Sequence, residues 1–202
     1  MRTCVLLLTV AATLLLGASS VSRADLLGDV LTAPKTLIDL AIEARSSEDI
    51  VEDNKLVLQV NEIMADLGTI KASTEIYEQR LLVTGLFDDE ALLAEFKDRV
   101  EDIDGVRELY WYVVYMSEEE QKALDDELLD WPDALLLNTD VGLALIGTAG
   151  IADVNFRVAA DAFSTIYLLG RARSEEEMSK AVDVAEDQDG VRRVLNFIEV
   201  RP

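Results

Sequence analysis

The sequence predicts an α+β protein of two tandem αββαβ units, each a small three-stranded sheet with two helices packed on one face, joined by a helical linker. Three observations predict it. An internal repeat recurs at a fixed offset, the apolar spacing switches between helical and alternating periods within each repeat, and turn residues punctuate the switches. Gly85 and Gly170 lie 85 residues apart, as do Gly105 and Gly190. Asp104-Gly105-Val106-Arg107 overlies Asp189-Gly190-Val191-Arg192 at that same offset, and Leu81-Leu82-Val83-Thr84-Gly85 overlies Ile166-Tyr167-Leu168-Leu169-Gly170. A tetrapeptide identity in register with two glycine pairs marks a tandem duplication.

In the first repeat, 46–116, Ser46 followed by Asp49 has the form of a helix start. Leu56, Val60, Ile63 and Met64 then recur at helical spacing until Gly68. Segments 71–78 and 80–85 read as strands, with Leu81 and Val83 on one face of the second. Asp88-Asp89-Glu90 opens another helix with negative charge at the positive end of its dipole, and Leu92, Leu93, Phe96 and Val100 supply its apolar stripe. The turn at Asp104-Gly105 leads to a last strand, 106–116, rich in aromatic and β-branched residues.

The second repeat, 132–202, has the same order: helix over 133–146, strands over 154–160 and 165–170, helix over 174–186 and strand over 191–200. Ser174 with Glu177 predicts a capping box at its second helix. Between the repeats, 117–131 reads as a helical linker that starts at the Ser117–Glu120 box, carries Leu124, Leu128 and Leu129 on one side and ends at Pro132. A helical extension, 25–45, precedes the first repeat, and its segment 34–44 presents Leu37, Ile38 and Ala41 on an apolar side.

The N-terminus points to export. Arg2 precedes an apolar run over 5–16, the length of a signal-peptide core and short of the roughly 20 residues that span a bilayer. Ser22-Arg23-Ala24 places small residues for cleavage before Asp25, so 1–24 reads as a signal peptide, with Ala18-Ser19-Ser20 as a second cleavage site and an uncleaved anchor as the alternative. The one cysteine, Cys4, precedes the apolar run, so a lipid-modified cysteine after it is not expected, and the predicted location is the periplasm. Loss of Arg2 and Arg23 leaves 16 basic against 40 acidic residues, a net charge of −24. That field repels nucleic acid and anionic headgroups, while an apolar half of the chain supplies folded cores.

Composition also bounds the chemistry. There is no histidine, and no cysteine after Cys4, which removes Ser-His-Asp and Cys-His catalysis and the zinc sites built from those ligands. The acidic turn before Gly190 superficially resembles a calcium loop, but with Gly190 at position 6 the end ligands fall on Ala185 and Asn196. The corresponding frame around Gly105 gives Val100 and Trp111. The acidic residues cluster at helix starts and on polar faces, and the glycines at 142, 147 and 150 have no lysine beside them to form a phosphate loop. The chain is expected to be no enzyme, with no cofactor and no metal; a hydrolase built on a pair of its 40 carboxylates is the formal alternative.

The marks Leu82-Val83-Thr84-Gly85 with Gly105-Val106, and Leu168-Leu169-Gly170 with Gly190-Val191, resemble the BON family, over roughly 46–116 and 133–202. Two such domains behind an export signal is the layout of an osmotically inducible periplasmic protein and of a dual-BON lipoprotein. The resemblance implies a non-catalytic protein of envelope integrity or stress tolerance. Its partners would be envelope proteins, bound in a chaperone-like or scaffold manner, or alternatively phospholipid headgroups.

Two surfaces qualify for that binding. One is the helix carrying Leu135, Leu136, Val141 and Leu143, apolar nearly all round, beside the basic cluster Arg171, Arg173, Arg192 and Arg193. The bland alternatives are that the helix is covered on both sides and the arginines are solvated. The other surface is the strand 110–115. One face of it lines a core, and the other is either covered by the second domain or exposed for binding. Gly85, Gly105, Gly170 and Gly190 are read as structural.

Overall fold

Residues 43–202 are described by the structure, a computed structural model. The signal peptide expected over 1–24, with Cys4, lies outside the described residues, as does the extension 25–45 except for its last three residues. Glu43, Ala44 and Arg45 are not helical.

Local signals set most of the boundaries. The first helix, α1 (Ser47–Asp66), is held at its start by the Ser46–Asp49 box, in which each side chain accepts from the other residue's backbone N–H. It leads into an antiparallel hairpin of β1 (Ala72–Tyr77) and β2 (Arg80–Phe87). Helix α2 (Glu90–Glu101), capped by Asp89, then returns the chain so that β3 (Glu108–Tyr115) pairs parallel to β2. After a short helix, α3 (Glu118–Ala123), the arrangement recurs with α4 (Trp131–Gly147), β4 (Phe156–Ala160), β5 (Thr165–Ala172), α5 (Glu175–Glu186) and β6 (Arg193–Val200). β4 and β5 are antiparallel, β5 and β6 parallel, and the strand orders are β1-β2-β3 and β4-β5-β6.

The two halves are thus one topology used twice. Gly85 pairs with Ala72, and Gly170 with Phe156, so the second hairpin holds one residue more than the first. A Cβ on Gly85 would lie 2.4 Å from the Lys71 carbonyl oxygen, and one on Gly170 would lie 2.1 Å from that of Asn155. The edge strand crosses the central strand there with no room for a side chain. Gly105 and Gly190 sit at φ +93 and +89, in the turn between the second helix and the last strand of each half.

Three apolar clusters hold the fold. One packs α1 and α2 on the first sheet around Leu56, Val60, Leu81, Val83 and Phe96, and a second packs α4 and α5 on the other sheet around Leu137, Val141, Ile166, Leu168 and Ala181. The third lies between the sheets, where Tyr77 and Leu82 meet Ala159, Tyr167 and Leu169. The sheets therefore face each other with the helices outside. The central strands β2 and β5 are buried on both faces, which is why each reads as a nearly unbroken apolar run. This arrangement decides the fate of the aromatic strand. Trp111 and Val113 face the helices, while Tyr110 and Tyr112 stack on Phe197 at 4.4 and 5.7 Å, with Tyr112 also 4.8 Å from Tyr167.

Some expectations fail for identifiable reasons. The linker is helical only through α3; beyond Leu124 the chain turns, Leu129 N–H bonds the Ala162 carbonyl, and Asp130 caps a new helix with Pro132 in its first turn. The strand expected over 154–160 begins only at Phe156, because Asp153–Asn155 forms a single 3-10 turn. Ser174 caps α5 as predicted, but the reciprocal half of the box is missing. Glu177 turns inward and accepts instead from the N–H groups of Ala152 and Arg173.

Candidate functional site

Helix α4 forms because Asp130 accepts from the Asp133 N–H and Pro132 presets the first turn. Its 3.6-residue period turns Leu137, Val141 and Leu145 onto the sheet. Val141 is therefore core and not a binding residue. Five further apolar side chains of the helix are left uncovered by any described element: Trp131, Leu135, Leu136, Leu143 and Ile146 are each 46–60% exposed. On the helix they form one band, with Trp131, Leu135 and Ile146 on one side and Leu136 and Leu143 beyond them. Asp133 and Asp140 border the far side of that band.

The near side of the band opens into a cleft of about 480 Å³. Its apolar walls come from Ile70, Leu86, Leu129, Trp131 and Leu135, contributed by both halves of the fold. Glu75 of β1 also lines it. Strand alternation puts Glu75 on the face that carries Tyr77, the face turned toward the second sheet. Burial pushes its carboxyl up to about 7, against a weaker pull from Arg157 on β4. Among the described residues no hydrogen bond reaches it. Two other acids on the cleft differ from Glu75. Asp161 is fully engaged, accepting from the N–H groups of Phe163 and Thr165 and from the Tyr167 hydroxyl, and Asp130 is the cap of α4. Lys71, the one cation among the described residues of the cleft wall, pairs with Asp88.

The basic cluster expected around Arg171, Arg173, Arg192 and Arg193 does not assemble. The parallel register places Arg193 beside Thr165 and Arg171 beside Glu199, six residues along the sheet, about 20 Å at the rise of a strand. Arg171 donates to the carbonyls of Arg201 and Pro202, at 3.2 and 3.1 Å. Arg173 forks onto Glu177, whose carboxyl is held low by that guanidinium and two backbone N–H groups despite its burial. Arg192 and Arg193 are exposed at the opposite end, with Arg193 reaching the Thr165 hydroxyl at 3.3 Å. Arginines that look clustered along the chain are thus split by the sheet, and those near the C-terminus are already paired.

Sequence reasoning found Leu135, Leu136 and Leu143 from the all-round apolarity of α4. It missed Trp131, which was assigned to the linker, and Glu75, a lone acid in a strand whose two neighbours say nothing of the second sheet. Among the described residues no group of three acidic side chains converges as a metal site, and no helix is long and apolar enough to cross a membrane.

Residues 137–202, from the middle of α4 to the C-terminus, match the BON domain. The chain is 20% identical over 162 residues to an uncharacterized protein in the gshII 5' region of Anaplasma centrale, covering 75% of this chain and 96% of that protein. Among solved structures, CdsD, a structural protein of the type III secretion system of Chlamydia trachomatis, aligns at 12% identity over 73% of this chain and 93% of its own, with a TM-score of 0.30. Its C-terminal domain aligns at the same identity and TM-score over 98% of its length. At that score the likeness carries no argument. The BON match covers the second half of the fold, whereas the cleft draws β1 and β2 from the first.

Proposed function

We propose that the protein is an exported, non-catalytic binding protein of the bacterial envelope, made of two BON-type domains, that holds apolar segments of other envelope proteins on α4 and the adjoining cleft. One observation carries this reading: five large apolar side chains stand exposed in a single band on a well-capped helix, in a chain of net charge −22. Contiguous exposed apolar surface of this kind is what a partner covers. The apolar run over 5–16 supports export, and the lack of histidine supports a role without acid–base chemistry.

Phospholipid binding is the weaker reading. It relied on the arginines beside the apolar helix, and these are separated or engaged, while Asp133 and Asp140 border the band with the wrong sign for anionic lipid. The test combines both. The purified protein is expected to suppress aggregation of an unfolding client protein, and the double variant Leu136→Ser, Leu143→Ser to lose that effect while keeping its circular dichroism. Salt-sensitive flotation with anionic liposomes, unaccompanied by client protection, would overturn the proposal in favour of lipid.

A further inference from the structure

Resting on that reading, we infer that the occupant of the α4 band and cleft is a cationic amphipathic helix of a partner protein, its apolar side on the band and its basic side chains on the acids at both borders. Such a helix complements the surface in length and in charge. The band runs from Trp131 to Ile146, sixteen residues of helix or about 22 Å, the length of four turns of a partner helix. A small ligand does not need that length, and a helix supplies the side chains at i, i+3, i+4 and i+7 that such a band receives.

Charge then selects the class of helix. On the outer border stand Asp133 and Asp140, two turns apart and exposed. On the inner border the cleft holds Glu75, half-buried and without a hydrogen bond among the described residues. Among the described groups that face Glu75, Arg157 attracts it only in part, since burial still outweighs that pull. Arg157, on β4, donates through Nη1 to the carbonyls of Val154 and Phe156, at 3.1 and 2.8 Å, and acts on Glu75 through its charge alone, with no hydrogen bond between them. Lys71 is paired with Asp88, and Asp130 and Asp161 on the same cleft are acidic. A lysine or arginine at the edge of an apolar helix face would fill the cleft with its methylenes and place its cation against Glu75. An acidic or neutral helix would cover that half-buried carboxylate and bring it no further cation, which is costly.

The test uses the purified protein and two labelled 18-residue peptides with the same leucine face, one with lysine on its flanks and one with glutamate, followed by fluorescence anisotropy. The lysine peptide should bind at least tenfold more tightly at moderate ionic strength, and the ratio should shrink as salt rises. Glu75→Gln and the pair Asp133→Asn, Asp140→Asn should each reduce the ratio about threefold. Should Glu75→Gln fail to fold, the salt series on the unaltered protein decides. Equal affinity for both peptides, insensitive to salt, overturns the cation inference and leaves the apolar binding proposal standing. No binding of either peptide, together with no client protection, overturns both.

Discussion

Ionised Glu75 costs the folded state something that protonation or a cationic ligand would return. Its carboxyl is raised from 4.5 to about 7 by burial, so between these values the folded protein binds more protons than the unfolded chain. Stability contributed by the protonated form is present at pH 4.5 and below, falls as pH rises, and is lost above about 7, a change on the order of 3 kcal/mol. Glu75→Gln should therefore raise the melting temperature at pH 8 and leave it nearly unchanged at pH 5; an equal shift at both values would show that packing and not ionisation sets the effect. Glu177 has the opposite sign. Its lowered carboxyl loses its contribution as pH falls, so acid unfolding should begin at the α5 end of the second half. Gly170 is constrained in another way. At φ +152, with the Asn155 carbonyl where a Cβ would be, Gly170→Ala is expected to cost about 2–3 kcal/mol in urea unfolding.

Helix α4 combines a core face and a functional face within the same few turns, and substitution should separate them. Val141→Ala empties a fully buried site and should cost about 1–3 kcal/mol, with binding retained in whatever fraction stays folded. Leu136→Ser with Leu143→Ser changes exposed positions, so stability should move by less than about 1 kcal/mol while client protection disappears. If both variants lost binding in proportion to stability, the band would be a structural surface only. At this scale much was legible in the sequence. The Ser46–Asp49 and Ser117–Glu120 boxes formed as their spacing implied, and the duplicated glycines fixed the repeat because the crossing strands tolerate nothing larger. The first hairpin was less legible. It turns at Glu78 and Gln79 with φ +51 and +60, positions usually given to Gly or Asn, and it does so because Asp53 of α1 accepts from both their N–H groups. A distant carboxylate has replaced the local turn signal. The ends of the linker were obscured for a related reason, since Leu129 is held by a backbone bond to Ala162 that no local pattern encodes.

Face-to-face packing of the sheets was not legible, because either repeat read alone gives one apolar sheet face too many. The structure disposes of both spare faces by turning them on each other and then fastening the seam with charge. Arg80, fully buried, reaches from β2 to the carbonyls of Gly170 and Phe197, at 2.6 and 2.8 Å, and Glu78 and Glu199 meet Arg201 and Arg107 at the rim. The Arg107–Glu199 pair is half-exposed and worth little in salt, whereas Glu78 is buried beneath Arg201. Arg80 is different, since its removal strands two carbonyls in a closed seam; Arg80→Leu should cost about 2–4 kcal/mol. It should also speed amide exchange in β5 and β6, which belong to the other half. The same reasoning predicts the behaviour of the second half alone. Residues 130–202 would retain the cluster under α4 and α5 but expose Tyr167, Leu169, Leu195 and Phe197 on the bare sheet. A patch of that kind on so small a fold is an association surface. Sedimentation of the isolated half should show concentration-dependent self-association, relieved when Tyr167 and Leu169 are changed to Ser and Thr. A monomer as stable as the intact chain would mean instead that the seam joins two autonomous domains, and that the cleft between them opens and closes as they part.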